Sequence, residues 1–401
     1  MRRLLAAADL ADYSRCSRRQ DGLFKQLFDM VEEDDAFLER VEGSGVGRLA
    51  FANGVWDFRK RELLPFSPDI VLFHKLPHAF PVTPEEVAAA DLVAREIRDR
   101  VIDPVWTRSA EYVMQNTARA AAGFFKDRLY HFGIGETASG KGVWMNLVES
   151  ALTGKFTGSI NSGNLLWQRR TGDHAKANSW MCAVRDKRIV FTSEIQTGPG
   201  IFIDGNKLKE VTSGGESVTG RQNNQDEITF RMQGCMWSFA NDTPPIKPTD
   251  SAVKSRVRFV PMENTFLPRE EFEARKHEQG VKLADETIKE FVSSHAVGAV
   301  FAWMLTSSFV DDKIPAPDHI SVETAEWLEE QDFDALIKNV VAGGSDEDFV
   351  TNKDLLSAAN ESGMDISKTK LGHLMKRVFG ISTVNRGGTV GRVYAGVKLV
   401  T

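Results

Sequence analysis

The amino-acid sequence predicts an α/β fold built around a parallel sheet, and three observations carry this prediction. Short apolar runs alternate with helical segments, which is typical of parallel sheets covered by helices. The first run leads into a Gly-rich loop, and a helical pattern follows that loop directly. No apolar stretch reaches the ~20 residues that cross a bilayer, so we predict no membrane partner. The apolar runs are Leu129–Ile134, Arg188–Glu194, Met236–Asn241 and Val257–Met262.

A chain of 401 residues is longer than a domain with a single hydrophobic core usually is, and the local patterns favour three domains. Residues 1–100 have the pattern of a mostly helical N-terminal domain, with helical spacing over residues 1–45 and a β-hairpin whose predicted turn is Asn53-Gly54. Residues 101–320 contain the predicted sheet. Residues 321–401 have the pattern of three short helices and a Gly-turned hairpin, which indicates a winged-helix-like domain.

The net charge of −6 does not decide whether the chain binds nucleic acid. Nucleic-acid-binding domains are often strongly basic, but a protein that encloses a strand needs positive charge only along its channel. The three cysteines, Cys16, Cys182 and Cys235, are scattered and lack metal-ligand spacing. We therefore expect reduced thiols, no zinc site and a cytoplasmic protein.

The Gly-rich segment after the first apolar run matches the pattern G-x-x-x-x-G-K, with Gly142 in place of the usual Ser or Thr. Glycines permit close backbone approach, and the amides at the start of a helix favour phosphate. Lys141 can then reach the β- and γ-phosphates, which makes a chance Gly-rich turn the weaker interpretation. The predicted nucleotide-binding residues are Gly135, Glu136, Thr137, Ala138, Ser139, Gly140, Lys141, Gly142 and Val143.

Polar side chains follow two further runs of the predicted sheet. Glu194 ends the second run, where a carboxylate can order Mg²⁺ and activate the attacking water; otherwise it merely ends a strand. Asn241 ends the third run and can orient that water, although Asn before Asp242-Thr243-Pro244 also suits a simple turn. Arg256 and Arg258 precede or begin the fourth run. One of them can act as an arginine finger from a neighbouring subunit, whereas isolated surface arginines are usually solvated.

The segment from Lys207 to Gln225 is polar and Gly-rich, and it leads into an apolar stretch near Ile228–Phe230. Such a loop and hairpin can present basic and amide groups to a sugar-phosphate backbone, which grips a strand without reading its sequence. An ordinary surface hairpin is the alternative. The predicted DNA contacts here are Lys209, Arg221, Asn223 and Asn224.

In this order, the motifs resemble those of superfamily 3 helicases of the poxvirus and phage primase-helicase type. The resemblance extends over nearly the whole chain, and six segments in the family's order carry it. They are Phe51–Phe58 ("NGV-D"), Gly135–Gly142 (Walker A), Ile189–Glu194 (Walker B), Lys209–Glu216 with Arg221 ("KELTGGD…R"), Phe239–Pro245 ("ATN-LP") and Ser255–Pro261 ("RRI-V-PF").

This resemblance implies an AAA+ P-loop motor domain between an α-rich N-terminal domain and a C-terminal winged-helix-like domain. It implies a homo-hexamer that uses ATP and Mg²⁺ between subunits, with Glu194 near the metal and Arg256 as the finger. The implied partners are single-stranded and forked duplex DNA, travelled 3′ to 5′, with a primase or polymerase as a candidate partner. Lys368 and Lys370 lie on the expected recognition helix, where DNA and protein contacts are equally open.

The sequence departs from the family's pattern at three places. Gly142 removes the hydroxyl that usually holds Mg²⁺, so metal coordination by that position is not carried over. Ser193 leaves Glu194 as the single acid at the end of its run. No primase domain precedes the motor motifs, and we expect either a helicase-only protein or part of a longer one.

Two other functions share some of these motifs. A nucleotide-dependent module that binds or loads onto DNA origins without unwinding would carry every motif above. A small-molecule kinase would also bind a triphosphate, but it needs neither an arginine from a neighbouring subunit nor a winged helix. Unwinding of forked DNA separates the first alternative from a helicase, and DNA-stimulated ATP hydrolysis excludes the second.

Overall fold

The computed structural model describes most of the chain from residue 44 onward. The described residues are 21–22, 25–26, 37, 44–167, 174–192, 194–195, 202–222, 225–345, 347–361, 366–385 and 392–400. The helix predicted over residues 1–45 lies for the most part outside these ranges, as do Asn223 and Asn224. Chain contacts define a smaller unit, residues 1–45 with 67–73, and a larger unit comprising the rest. In the smaller unit the Ile70 amide donates to the Ser67 carbonyl oxygen at 3.1 Å.

An antiparallel sheet opens the larger unit and contains the predicted hairpin. Its strands are β1 (Arg48–Phe51), β2 (Gly54–Asp57) and β3 (Glu62–Leu64). The two-residue turn is Ala52-Asn53, one position earlier than predicted, because Phe51 pairs with Gly54. Gly54 is needed inside the strand, since a Cβ there would meet the Leu64 carbonyl oxygen at 2.7 Å.

Helices lead from this hairpin to the central sheet without a break in the core. They are α1 (Pro84–Ile97), a π-helical turn (Arg98–Ile102), α2 (Asp103–Trp106) and α3 (Ala110–Ala121). Thr83 begins α1 through a capping box with Glu86, which satisfies two amides of the first turn. Leu49 and Phe58 of the hairpin region share one apolar cluster with Trp144 and Phe191 of the sheet region. The domain boundary predicted near residue 100 is therefore not a boundary of this core.

The central region alternates strands and helices, as predicted. Its elements are β4 (Tyr130–Ile134), α4 (Lys141–Phe156), β5 (Thr157–Ile160), α5 (His174–Ala177), α6 (Ser179–Val184), β6 (Ile189–Thr192), β7 (Ile203–Asp204), α7 (Gly205–Val211), β8 (Ser217–Gly220), β9 (Ile228–Arg231), β10 (Cys235–Ala240), β11 (Ile246–Lys247), α8 (Ser251–Arg256) and β12 (Val257–Pro261).

Five of these strands form one parallel sheet in the order β12–β4–β10–β6–β5. The four predicted strands are all present in it, so the prediction of an α/β fold with a parallel core is confirmed. The strand that was not predicted is β5, whose sequence Thr-Gly-Ser-Ile carries little apolar signal. Because β10 inserts between β4 and β6, three strands that end in polar loops lie side by side.

Aromatic side chains fill both faces of the sheet. On one face Trp106 packs against Trp144 and Trp237, with ring centroids 5.5 and 5.6 Å apart. On the other face Phe132 stacks on Phe259 at 5.1 Å. Burial of such rings supplies a large share of the hydrophobic stabilisation of a domain.

Short strands and helices follow the central sheet, and the chain ends in a C-terminal body that has its own apolar core. The elements are β13 (Thr265–Leu267), α9 (Arg269–Arg275), β14 (Val281–Leu283), α10 (Ile288–Ser293), α11 (His295–Ser307), α12 (Asp318–Val340), β15 (Val341–Gly343), β16 (Phe349–Thr351), α13 (Asn352–Glu361), α14 (Lys368–Phe379), β17 (Val384–Asn385), β18 (Arg392–Ala395) and β19 (Val397–Leu399).

The long helix α12 connects the sheet with the C-terminal body. Trp327 of this helix packs on Phe259 of the sheet at 4.2 Å, whereas Ile337 joins the C-terminal apolar cluster with Leu371. The boundary predicted at residue 321 therefore falls inside one continuous helix. Across the part of the chain that the structure describes, no helix is both long and apolar enough to span a membrane.

Replacing Trp106 by Ala should lower the free energy of unfolding by about 3–5 kcal/mol, because the ring is fully buried between two other tryptophans. Chemical denaturation followed by circular dichroism measures this change. Trp167→Ala is the matched control, since Trp167 is 52% exposed and its loss should cost less than about 1 kcal/mol. Equal costs for the two variants would contradict the described packing.

Candidate nucleotide-binding site

The backbone of the loop between β4 and α4 is so closely packed that it leaves no room for a side chain at two of its glycines. Gly140 has φ +94°, and a Cβ there would meet Cγ2 of Val105 at 2.6 Å. Gly135 lies so close to Met262 that a Cβ would meet the Met262 carbonyl oxygen at 2.6 Å. Ala138 also has a positive φ, 64°, which is uncommon for a residue with a side chain. The loop is therefore held tightly by its neighbours.

This loop presents hydrogen-bond donors to whatever lies above it. The helix α4 begins at Lys141 after Gly140, which offers no side chain as a cap. The amides of Lys141, Gly142 and Val143 lie in the first turn, where a helix supplies no internal acceptor. Ser139 is fully buried beneath the loop, and its Oγ has no hydrogen-bond partner in the described part of the chain. Such a helix start is a ready site for phosphate.

Three predicted site residues meet at the carboxyl edge of the sheet. The Lys141 Nζ donates to the carbonyl oxygens of Gly135 at 2.7 Å and Glu136 at 3.1 Å, and to Oδ1 of Asn241. Nδ2 of Asn241 donates to Oε1 of Glu194 at 3.0 Å. The three side chains form a line because each lies beyond the carboxyl end of a different strand. Lys141 follows β4, Asn241 follows β10 and Glu194 follows β6, and β10 lies between the other two strands.

The Lys141 ammonium can bind an anion in place of its present, neutral acceptors. Partial burial lowers the pKa of its ammonium, while the nearby carboxylates of Glu194 and Asp242 raise it and leave a net lowering. Its present acceptors are neutral oxygens of the loop and of Asn241. A phosphate would offer a charged acceptor instead, and charge-assisted hydrogen bonds are about twice as strong as neutral ones.

The residues present also fit a magnesium ion that is held together with a bound phosphate. Among the described residues, no group of three His, Cys, Asp or Glu could hold a metal alone. Mg²⁺ usually takes one or two carboxylates together with substrate phosphates and water, and Glu194 supplies one carboxylate here. At Gly142 a Cβ would meet nothing within 4 Å, so the missing hydroxyl leaves open space beside the helix start. The metal role of Glu194 stays a prediction.

A cleft of about 550 Å³ adjoins the loop and offers room for the rest of a nucleotide. It lies between the loop, the end of β10 and the segment from β13 to α9. Its lining residues are Glu136, Thr137, Ala138, Asn241, Asp242, Thr265, Phe266, Leu267, Pro268, Glu271 and Arg275.

Arg256 lies at the opposite, amino edge of the sheet. It ends α8 just before β12, whose first residue, Val257, pairs with Tyr130 at the start of β4. The length of β4, at ~3.3 Å per residue, therefore separates Arg256 from the loop of its own chain. One nitrogen of its guanidinium donates to the Ala252 carbonyl oxygen at 2.7 Å, while its buried Nε has no partner within the described residues.

The predicted DNA contacts have different surroundings. The Lys209 ammonium forms an ion pair with Asp250 at 2.6 Å and thereby holds α7 to the start of α8. Arg221 follows β8, and its backbone amide donates to the Ala175 carbonyl oxygen at 2.8 Å. The predicted hairpin is present, because β8 pairs antiparallel with β9. Lys368 and Lys370 lie in the first turn of α14, which Ser367 caps.

The sequence interpretation missed one aromatic feature of the central region. Trp167 is 52% exposed and stacks on Phe202 at 5.6 Å, and the Lys247 ammonium lies 5.2 Å from the centre of the Phe202 ring. Exposed aromatic rings beside cations can stack nucleic-acid bases. The signal in the sequence is a Trp immediately before Gln168-Arg169-Arg170, three residues that lie outside the described ranges.

The glycines of the loop should differ sharply in their tolerance of a side chain. Gly142→Ala should bind a fluorescent ATP analogue within about threefold of the parent, because its Cβ enters open space. Gly135→Ala should weaken binding by more than about tenfold, because its Cβ collides with backbone and distorts the phosphate-binding loop. Equilibrium fluorescence titration measures both. A Gly135→Ala variant that binds as tightly as Gly142→Ala would show that the loop does not hold phosphate.

No family model matches the chain. Two viral proteins are similar to it. "Putative helicase V13" of Sputnik virophage is 24% identical over 279 residues, which are 69% of this chain and 34% of the relative. "Putative helicase 184R" of Invertebrate iridescent virus 6 is 24% identical over 318 residues, 75% of this chain and 31% of the relative. The chain thus spans about a third of the length of these curated relatives.

Solved structures are similar at a lower level. The apo C-terminal region of NrS-1 has a TM-score of 0.44 at 14% identity and covers 81% of this chain and 80% of its own. JCV helicase with a bound small molecule has a TM-score of 0.33 at 13% identity and covers 82% of this chain and 77% of its own. The relationship is therefore carried by the viral sequences and by the order of the motifs. The chain is therefore similar to two viral proteins that are named putative helicases, which agrees with the helicase resemblance of its motifs.

Proposed function

We propose that this chain is the motor part of an ATP-dependent DNA helicase that translocates on single-stranded DNA. The observation that carries the proposal is the line formed by Lys141, Asn241 and Glu194 at the carboxyl edge of a parallel sheet. Ligands of such sheets bind at that edge. The viral relatives, whose names include the word helicase, support the same assignment.

Each residue of the line has a separate task in this proposal. Lys141 leaves its carbonyl acceptors and binds the phosphates, together with the first amides of α4. Glu194 accepts a proton from the attacking water, and Asn241 orients that water from the middle strand. Mg²⁺ bound with the triphosphate would neutralise charge on the phosphate oxygens, and Glu194 would supply a carboxylate to hold it.

The position of Arg256 supports an assembly of several copies. This arginine lies at the far edge of the sheet from its own loop, so it can act only on the site of a neighbouring copy. Arg256 as a whole is only half-buried, so part of the residue is exposed to such a contact. We infer a ring of subunits, a hexamer by analogy with the family, in which Arg256 stabilises the charge of the transition state.

The strand would be gripped by features that need no sequence information. We propose Arg221 and the β8–β9 hairpin as contacts to the sugar-phosphate backbone and Trp167 as a platform for bases. Asn223 and Asn224 belong to the same predicted loop. Lys209 would have to release Asp250 before it could contact a phosphate.

Lys141→Ala should abolish ATP hydrolysis and the unwinding of a forked duplex, because no other ammonium is hydrogen-bonded to this loop among the described residues. Lys155→Ala is the matched control, since Lys155 is an exposed lysine near the other end of the same helix and should keep both activities. Turnover is measured by phosphate release and unwinding by strand separation.

Two results would contradict the proposal in different ways. Near-normal hydrolysis by Lys141→Ala would refute the nucleotide site itself. DNA-stimulated hydrolysis by the parent without any strand separation would support the loading module instead of a helicase.

Arg256→Ala should keep nucleotide binding within about twofold but lose more than about 100-fold in turnover, the scale typical of an arginine finger. A mixture of Arg256→Ala with Lys141→Ala should recover part of the activity, because each variant supplies the group that its neighbour lacks. Mixing Arg256→Ala with the double variant is the control and should recover none. If the first mixture also stays inactive, Arg256 does not act between subunits.

A further inference from the structure

The C-terminal end of the chain is basic and contains no acidic residue. Residues 366–401 contain seven Lys or Arg and no Asp or Glu, although the whole chain has a net charge of −6. All 56 acidic residues therefore precede this segment. A basic segment on an acidic protein is the pattern of a surface that binds a polyanion.

In the structure, this segment forms a helix and strands of the C-terminal body. The helix α14 buries Leu371, Leu374 and Met375 in the core of that body. Its outer face carries exposed side chains that can donate hydrogen bonds. They are Lys368, Thr369, His373, Lys376 and Arg377. The helix is thus apolar on its inner face and cationic on its outer face.

The dimensions of α14 suit the major groove of double-stranded DNA. Its 12 residues extend ~18 Å, and the major groove is ~12 Å wide and admits one helix. The helix α13 precedes it, and β17 pairs with β18 after it, so α14 lies between a helix and a hairpin in the chain. Arg392 on β18 and Asn385 on β17 are exposed donors of that hairpin.

The same face lacks what a single strand would need. Binding of single strands depends on bases stacking on aromatic rings. The helix contains no Trp or Tyr, and its one Phe, Phe379, packs against the core of the C-terminal body, while the exposed residues are cationic or polar. Contacts to the phosphates of a duplex need only such donors.

We propose that the outer face of α14, with Lys376 and Arg377 in its last turn, binds the phosphate backbone of double-stranded DNA. The inference rests on the proposed helicase function, to which it adds a second site. The duplex ahead of a fork is the partner that this surface fits, whereas the motor would hold the single strand.

The test is a double charge reversal in the full chain, Lys376→Glu with Arg377→Glu. Fluorescence anisotropy with a blunt duplex of about 25 base pairs should show affinity at least about tenfold weaker than the parent's. The dependence of log affinity on log salt should become shallower by about two, one for each lost phosphate contact. Hydrolysis of ATP stimulated by a single strand should not change, because neither residue touches the motor site.

The matched control is Lys353→Glu with Lys398→Glu. It makes the same change in net charge at two exposed lysines of the same body that lie off α14, and it should keep duplex affinity within about twofold. If charge reversal unfolds the helix in circular dichroism, Lys376→Gln with Arg377→Gln takes its place, with a smaller loss of affinity expected. Equal duplex affinity of the α14 variant and the control would overturn the inference. Loss of hydrolysis in the parent, with duplex binding intact, would count against the motor and not against α14.

Discussion

The pair of hydrogen bonds made by Asn241 depends on one structural constraint, the position of β10 between β4 and β6. In a parallel sheet all carboxyl ends meet at one edge, so the order of the strands decides which loops are neighbours. Here that order puts an amide between an ammonium and a carboxylate. Asn241 satisfies both through its two ends, and Lys141 and Glu194 stay apart without neutralising each other directly. The site keeps separate charges because a neutral residue lies between them.

The two edges of the same sheet have different chemistry. The carboxyl edge collects the Gly-rich loop, Asn241 and Glu194, whereas the amino edge carries Arg256 beyond reach of them. In the proposed mechanism, one chain binds the phosphates and orients the water, and Arg256 of a neighbouring copy adds a further positive charge. In the proposed ring, one copy's amino edge supplies it to the next copy, which makes turnover a property of the interface.

Much of this arrangement could be predicted from sequence, and the failures have physical causes. The runs that became β4, β6, β10 and β12 are apolar on both faces, so composition alone marks them. The hydrogen bond between Asn241 and Lys141 could not be predicted from the sequence, because it depends on the order of the strands in the sheet, which local patterns do not determine. The hairpin turn lies one residue earlier than predicted because Gly54 pairs with Phe51 inside the sheet, where the neighbouring strand leaves no room for a Cβ at Gly54. The exposure of Trp167 could not be predicted either, because a tryptophan in a sequence is compatible with both a buried and an exposed position.

The contact of Gly140 with Val105 has a consequence beyond the shape of the loop. Val105 belongs to α2, which continues a π-helical turn and the helix α1. A shift of α2 that moved Val105 toward Gly140 would meet the loop directly, because the two residues are closely packed. If such a shift changed ligand binding at the loop, a bound ligand would bias the position of α2 by the same free energy, since coupling between two sites is reciprocal. The position of α2 and the conformation of the candidate nucleotide-binding loop are therefore linked through a methyl group of Val105.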